Sequence, residues 1–324
     1  MTRPSNIVTY SPAYTLVPTY ECFNRCTYCN FRTDPGTSPW MPLTEAADTL
    51  RSLQSAAAST IEILILSGEV HPHSPRRGDW CDHLYSLGEL ALSLGFLPHT
   101  NAGPLSQSEM ARLKQVNVSM GLMLEQLTPT LLKTVHRYAP SKEPTLRLQQ
   151  LSWAGELQIP FTTGLLLGIG ETWDDRRVTL DAIATVHTQF GHIQEVILQP
   201  YSPGTSEMWG NEAFGAEDLV KTVAIARTIL PADIAIQIPP NLVQNPTMLI
   251  ACLEAGARDL GGIGPRDEVN PDYPHPLHST LQTCLEQAGW TLQPRLPVYP
   301  QYIPTLPEGL KAVVNAWYGQ VSKK

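Results

Sequence analysis

Residues 14–32 read YTLVPTYECFNRCTYCNFR: an apolar, aromatic and β-branched run, then a loop in which Cys22, Cys26 and Cys29 stand as C-x-x-x-C-x-x-C. The run is a strand signal. The loop offers three thiolates within eight residues and withholds a fourth. A four-iron cubane has four corners, so three cysteines leave one iron for an exchangeable ligand from outside the protein. Electron-carrying clusters and structural zinc sites are ordinarily closed by four protein ligands. The shortfall points to catalysis at an open iron, with a structural zinc site completed by a distant His or Cys as the alternative.

Working outward, strand-like runs recur at residues 14–20, 61–66, 96–100, 116–122, 161–167, 195–199, 234–238 and 258–261. Helix-like stretches lie between them at 43–59, 81–94, 106–115, 142–158, 173–190, 216–230 and 247–255, and a last one follows at 277–288. Eight repeated βα units imply parallel strands with right-handed crossovers, which close naturally into a (βα)8 TIM-type barrel of the α/β class. Thr44 is the expected cap of the first helix, and Leu50, Leu53 and Leu94 fall on its and its neighbour's inward stripes. No composition shift marks a boundary. Residues 1–290 are expected to form the barrel, and the proline-rich residues 291–324 a C-terminal extension of the same domain, packing on the barrel and ending in a helix near 308–318. Chemistry in such barrels gathers in the loops after the strands, and the cysteines fall just after the first.

Composition narrows the partners. With 22 basic against 30 acidic residues the net charge is -8, which argues against nonspecific binding to nucleic acid or to an anionic membrane and favours a small-molecule substrate. No apolar stretch approaches the roughly 20 residues of a membrane span, and the first residues lack the apolar core of a secretion signal, so the expected location is the cytoplasm. Cys81, Cys252 and Cys284 are scattered through helix-like segments and read as small buried residues. Asn117-Val118-Ser119 matches a glycosylation pattern but sits in a strand-like run.

A three-cysteine loop after the first barrel strand, with Tyr28 just before the last cysteine, resembles the radical S-adenosylmethionine (SAM) superfamily. The resemblance implies one [4Fe-4S] cluster per chain on Cys22, Cys26 and Cys29, with SAM on the open iron and a 5'-deoxyadenosyl radical as the reactive species. Three further segments are similar to superfamily elements. Ser67-Gly68-Glu69, at the end of the second strand, resembles the Gly-Gly-Glu element that receives the amino group of SAM, with Ser for the first Gly. The stretch from Gly164 through Gly168 to Glu171 resembles the element that shapes the adenine pocket, and Ser119 and Glu125 resemble residues contacting the SAM ribose or carboxylate. An acid at Glu125 would equally stabilise the start of a helix.

The local sequence from Glu21 to Arg32, with Gly261-Gly262-Ile263 and Val269-Asn270-Pro271, resembles more narrowly the CofG-type 7,8-didemethyl-8-hydroxy-5-deazariboflavin synthases. Where that family tends to read Trp-Gly-Gly-Ile-Ser-Pro, this chain has Leu260-Gly261-Gly262-Ile263-Gly264-Pro265. The resemblance implies a lyase-type enzyme that cyclises, with release of ammonia, the tyrosine-derived adduct of 5-amino-6-(D-ribitylamino)uracil made by a partner enzyme, CofH. It also implies an external electron donor of the flavodoxin or ferredoxin type. Other readings are a different radical SAM enzyme acting on an aromatic or purine-derived adduct, CofH-like or of the menaquinone futalosine pathway, or a non-catalytic iron-sulfur or zinc module.

A neutral, polyhydroxylated, aromatic substrate calls for hydrogen-bonding side chains and flat walls. Asn101, Gln199, Tyr201 and Asn270 are the candidate contacts, with His71, His73 and Asn241 in similar loops. The bland readings are surface loop histidines for His71 and His73, and a cap on the helix near Ser106 for His99 or Asn101. Arg25 and Arg32 read as charge balance or loop anchoring, and Arg76-Arg77 as solvated surface.

Overall fold

The computed structural model describes residues 6–55, 60–243 and 245–321. Strand β1 (Ile7–Leu16) closes the sheet on itself. Its C-terminal half pairs in parallel with β2 (Glu62–Leu66), Ala13 opposite Glu62 and Leu16 opposite Ile65. Its other edge pairs with β8 (Asp259–Ile263), with a register shift between Thr9 and Ser11. The circle is completed in chain order by β3 (Leu97–Asn101), β4 (Ser119–Gly121), β5 (Phe161–Leu167), β6 (Ile193–Pro200) and β7 (Ala235–Gln237). This is the expected closed eight-stranded parallel barrel.

β4 is shorter than the expected 116–122, and two further departures stand out. β1 starts at Ile7 rather than residue 14 and ends at Leu16, so residues 17–20 already belong to the loop. Polar Ser11, fully buried, and Pro12 interrupt the apolar run and hide the strand from its composition. A ninth strand, β9 (Thr291–Pro294), pairs with Ile7–Tyr10 of β1. It lay inside the proline-rich tail, and its position at the sheet's edge tolerates Pro294.

The helices are α1 (Leu43–Ser55), α2 (Arg77–Ser93), α3 (Gln107–Leu113), α4 (Pro144–Glu156), α5 (Trp173–Phe190), α6 (Ala216–Ile229), α7 (Pro246–Ala255) and α8 (His278–Gln287). The expected end of the first, residues 56–59, lies outside the described residues, and Thr44 sits inside its first turn rather than at the cap. The cap of α3 is Ser106 itself, in a reciprocal capping box with Glu109, so neither His99 nor Asn101 serves there. Arg76 and Arg77 are not merely solvated surface. Arg77, whose side chain is 12% exposed, pairs with Glu109 (Nε–Oε1 2.7 Å) and donates to the Val70 carbonyl at 2.6 Å, while Arg76 reaches Glu21 at 3.1 Å. Cys81 and Cys252 are buried as expected, but Cys284 is only half-buried on the outer helix α8.

Leu50, Leu84, Leu87, Leu180 and Ile183 carry the helix layer onto the outside of the barrel. A second apolar cluster lies at the amino-terminal end of the strands. There Ile61, Leu97 and Val118 pack against Leu296, Val298, Tyr302 and, from α9 (Glu308–Val321), Leu310 and Val314. The extension thus floors the barrel. Arg295 enters from below and pairs with Asp259 (Nε–Oδ2 2.6 Å) and with Glu195, while the Tyr299 hydroxyl lies between the two acids, 3.2 Å from Asp259 and 3.0 Å from Glu195. Burial opposes the charge on Arg295, yet the two carboxylates hold its pKa well above the ordinary value. Among the described residues no helix is long and apolar enough to cross a membrane.

Candidate active site

The cysteine loop is pinned by its backbone. Cys22 N–H donates to the Thr33 carbonyl at 3.1 Å, Phe23 N–H to Glu69 at 3.0 Å, Arg25 N–H to Tyr138 at 2.7 Å and Thr27 N–H to Val135 at 3.1 Å. Arg25 and Arg32 both pair with Asp34, anchoring the far side of the loop. Gly68 N–H donates to Thr19 at 2.8 Å, and a side chain at Gly68 would fall onto the Glu21 carbonyl oxygen. Only glycine lets the end of β2 lie this close to the loop.

Cys22, Cys26 and Cys29 line one cavity at the carboxyl end of the barrel. The same walls contain Tyr28, Ser67, Gly68, Glu69, Asn101, Glu125, Gln199, Tyr201 and Asn270. Burial, with a contribution from Glu69, pushes the Cys22 thiol up to about 11; burial likewise pushes Cys26 up to about 12 against the pull of Lys142. Both are neutral thiols near pH 7 without metal, so metal binding here releases protons. Among the described residues no three Cys, His, Asp or Glu side chains converge as they would around one metal ion. Three thiols lining one cavity are the soft donors that an iron-sulfur cluster takes.

Glu69 is the hub of a polar cluster beside the cysteine loop. Its Oε1 accepts from Arg147 Nη2 at 2.9 Å, and its Oε2 from Asn24 Nδ2 at 2.7 Å and from the Ser141 hydroxyl. Arg147, 1% exposed, also donates to the Met123 and Ser141 carbonyls, at 2.6 and 2.9 Å. Glu125 pairs with Lys142 (2.6 Å) and has φ +63°, a left-handed conformation that costs an ordinary residue about 1 kcal/mol. No α-helix begins at Glu125; the next is a short 3-10 turn at Pro129–Lys133, so the helix-dipole reading fails. Tyr28 hydrogen-bonds His136 Nε2 at 2.9 Å; burial first, then Lys142 and Arg147, hold His136 down to about 3, so this imidazole is neutral.

Four expected residues do not line this cavity. Ser119 begins β4 at the closed end of the barrel, where it hydrogen-bonds His99 and the Pro297 carbonyl. Glu171 turns back on its own loop: its oxygens accept from the Gly168 and Ile169 amides at 2.7 and 2.8 Å, and it pairs with Arg176 at 2.7 Å. Gly168, at φ +87°, faces Phe214, and Gly164 leaves room for the Met123 sulfur that does line the cavity. These three act behind the wall rather than on its face. His71 and His73 are exposed and lean on each other at 5.5 Å, and Asn241 is pinned to Asp267 at 2.8 Å.

Sequence reading missed Asn24, Ser141, Lys142 and Arg147. A buried acid at Glu69 demands a cation, but nothing in the chain says that it comes from residue 147 on α4.

A model of the radical SAM superfamily matches residues 16–183. A 7,8-didemethyl-8-hydroxy-5-deazariboflavin synthase of Trichormus variabilis is 66% identical over 311 residues, covering 96% of this chain and 91% of that one. The chain belongs to the radical SAM deazariboflavin synthase family. A 7,8-didemethyl-8-hydroxy-5-deazariboflavin synthase of Synechococcus elongatus is 60% identical over 322 residues, with 99% of this chain and 95% of that one covered. Membership in the radical SAM family implies a [4Fe-4S] cluster and SAM, which the donor set and the cavity above fit. Among solved structures, the [FeFe]-hydrogenase maturase HydG from Carboxydothermus hydrogenoformans shares the fold of this synthase-family chain, with a TM-score of 0.71 at 19% identity over 98% of this chain and 79% of that one. Methylornithine synthase (PylB) does so with a TM-score of 0.68 at 14% identity, over 90% and 84%.

Proposed function

We propose that this enzyme cyclises the tyrosine-derived adduct of 5-amino-6-(D-ribitylamino)uracil, supplied by CofH, to 7,8-didemethyl-8-hydroxy-5-deazariboflavin with release of ammonia. The observation that carries the reading is one cavity walled on one side by Cys22, Cys26 and Cys29 and on another by Glu69, opening into a polar barrel lumen. Identities of 60–66% to relatives named for that product support the substrate.

In this reading the three cysteines hold one [4Fe-4S] cluster per chain and leave one iron for SAM. When bound, cluster and SAM supply the 5'-deoxyadenosyl radical that takes a hydrogen atom from the substrate. The remaining work falls to the chain. Ser67, Gly68 and Glu69 seat the amino end of SAM, Glu69 being oriented by Asn24 and Arg147. Tyr28 and Glu125 wall the nucleoside, while Gly164, Gly168 and Glu171 shape that wall from behind. Asn101, Gln199, Tyr201 and Asn270 hold the substrate. Residues 1–290 form the catalytic barrel and 291–324 its extension, in the cytoplasm, with electrons from a flavodoxin or ferredoxin.

Anaerobic reconstitution tests the reading. The wild type should bind about four irons and form both 5'-deoxyadenosine and the deazaflavin chromophore from the CofH adduct. Cys22→Ala, Cys26→Ala and Cys29→Ala should each abolish both products. Chromophore formation by any of the three, or failure of the wild type to convert the adduct, would overturn the proposal.

A further inference from the structure

Below the cysteine cavity lies a second chamber in the same lumen. Asn101, Gln199, Leu66, Ile197 and Asn270 line both, so the two are continuous. The floor of the lower chamber is polar and buried: Glu62, His99, Thr162 and Glu195 face it from the strands, and Arg295 and Pro297 from the extension.

The hydrogen-bond chain through His99 has one direction only. His99 Nδ1 lies 2.7 Å from Ser119 Oγ, and Ser119 Oγ lies 2.7 Å from the Pro297 carbonyl oxygen. A carbonyl only accepts, so the single hydroxyl hydrogen of Ser119 goes to Pro297. Ser119 must then accept from His99, which places the imidazole hydrogen on Nδ1. Burial, and then Arg295, hold the ring's pKa down to about 3, so it is neutral. Its Nε2 therefore carries a bare lone pair. Gly121 keeps that lone pair reachable: a side-chain carbon there would sit 2.9 Å from Nε2.

We propose that His99 is a substrate-binding residue, a fixed-tautomer acceptor on the floor of the lower chamber that takes a hydrogen bond from a hydroxyl of the substrate's ribityl chain. The inference rests on the proposed reaction. A substrate whose reacting atoms lie beside the cysteine cavity must send its unreactive part down the lumen. The polyol chain, a string of hydroxyl groups that donate and accept, matches a polar floor in which His99 offers an acceptor and Glu62, Glu195 and Arg295 stand beside it. The extension, through Pro297, sets the tautomer and so takes part in specificity.

The test compares kcat/KM for the CofH adduct with that for a synthetic adduct bearing methyl in place of ribityl, in iron-loaded full-length protein. His99→Phe should lower the value for the ribityl adduct roughly tenfold and leave the methyl adduct nearly unchanged. Gly121→Ala, which keeps the imidazole but covers Nε2, should do the same, and His99→Gln, with an acceptor oxygen restored, should recover part of the loss. Iron content checks that each variant is folded. Equal losses on both adducts, or no loss on either, would overturn the assignment. A wild type that cleaves SAM but leaves the ribityl adduct unconverted would instead refute the proposed reaction.

Discussion

At the scale of single residues, Glu69 and Arg147 form a buried ion pair whose members also hold the cysteine loop and the β4 connection. Removing one partner of such a pair leaves an uncompensated charge, at a loss of roughly 3–5 kcal/mol. Arg147→Met should therefore lower the denaturation midpoint and weaken SAM binding together, read by urea unfolding and by equilibrium dialysis with labelled SAM. Glu69→Gln should weaken SAM binding while iron content stays at the wild-type level; unchanged affinity would remove Glu69 from the site. The double variant should lose less stability than the sum of the singles, because each single strands what the other removes. The split between legible and hidden residues is visible here. Cys22, Cys26, Cys29 and the Gly68-Glu69 pair announce themselves by spacing within a few residues. Arg147 and Ser141 reach Glu69 across more than seventy positions, and no local pattern encodes that meeting.

At the scale of elements, two substitutions separate structural from functional turns. Thr172 caps α5 in a reciprocal box with Asp175 at an exposed position. Thr172→Ala should cost about 1 kcal/mol of stability and leave chromophore formation unchanged. Gly68→Ala, by contrast, forces the end of β2 away from the Glu21 carbonyl beside Cys22. The reconstituted variant should lose iron to a chelator several times faster than the wild type, a difference that the visible absorbance of the cluster would follow. Element legibility followed local consistency. β5, seven buried residues in a row, and α5, with its capping box, lie where periodicity puts them. The first half of β1 and the whole of β9 escaped because Ser11, Pro12 and Pro294 belie a strand, and their pairing joins residues nearly three hundred positions apart. Ser119 misled for a related reason: its strand was right, but β4 is short and the serine lies at its closed end.

At the scale of the whole molecule, buried neutral histidines couple the fold to pH. Burial holds His99 near 3 and His192 near 4, both below the ordinary value of 6.5. In the unfolded chain these rings take up protons as pH falls below about 6.5; in the folded chain they do not. At these rings the unfolded state binds more protons in that window, so their share of the stability is full above it and declines as pH falls toward 4, by up to about 1.4 kcal/mol per unit for each ring. Glu195, which burial pushes up to about 7, runs the other way, because the folded chain takes up its proton first. Urea midpoints measured from pH 7.5 to 5 carry both slopes, and substitution reads the histidine one. His192→Phe, in a pocket bordered by Phe161 and Phe190, should flatten it.

The floor laid by Arg295, Pro297 and Tyr299 also decides traffic. Among the described residues the base of the tube is stoppered, and the cysteine cavity lies at its other end. On the proposed reaction, the tricyclic product cannot drain through the bottom while methionine and 5'-deoxyadenosine depart above it. Spent nucleoside and finished chromophore queue at one door, and the clearing of that door is a natural candidate for the slow step of each turnover.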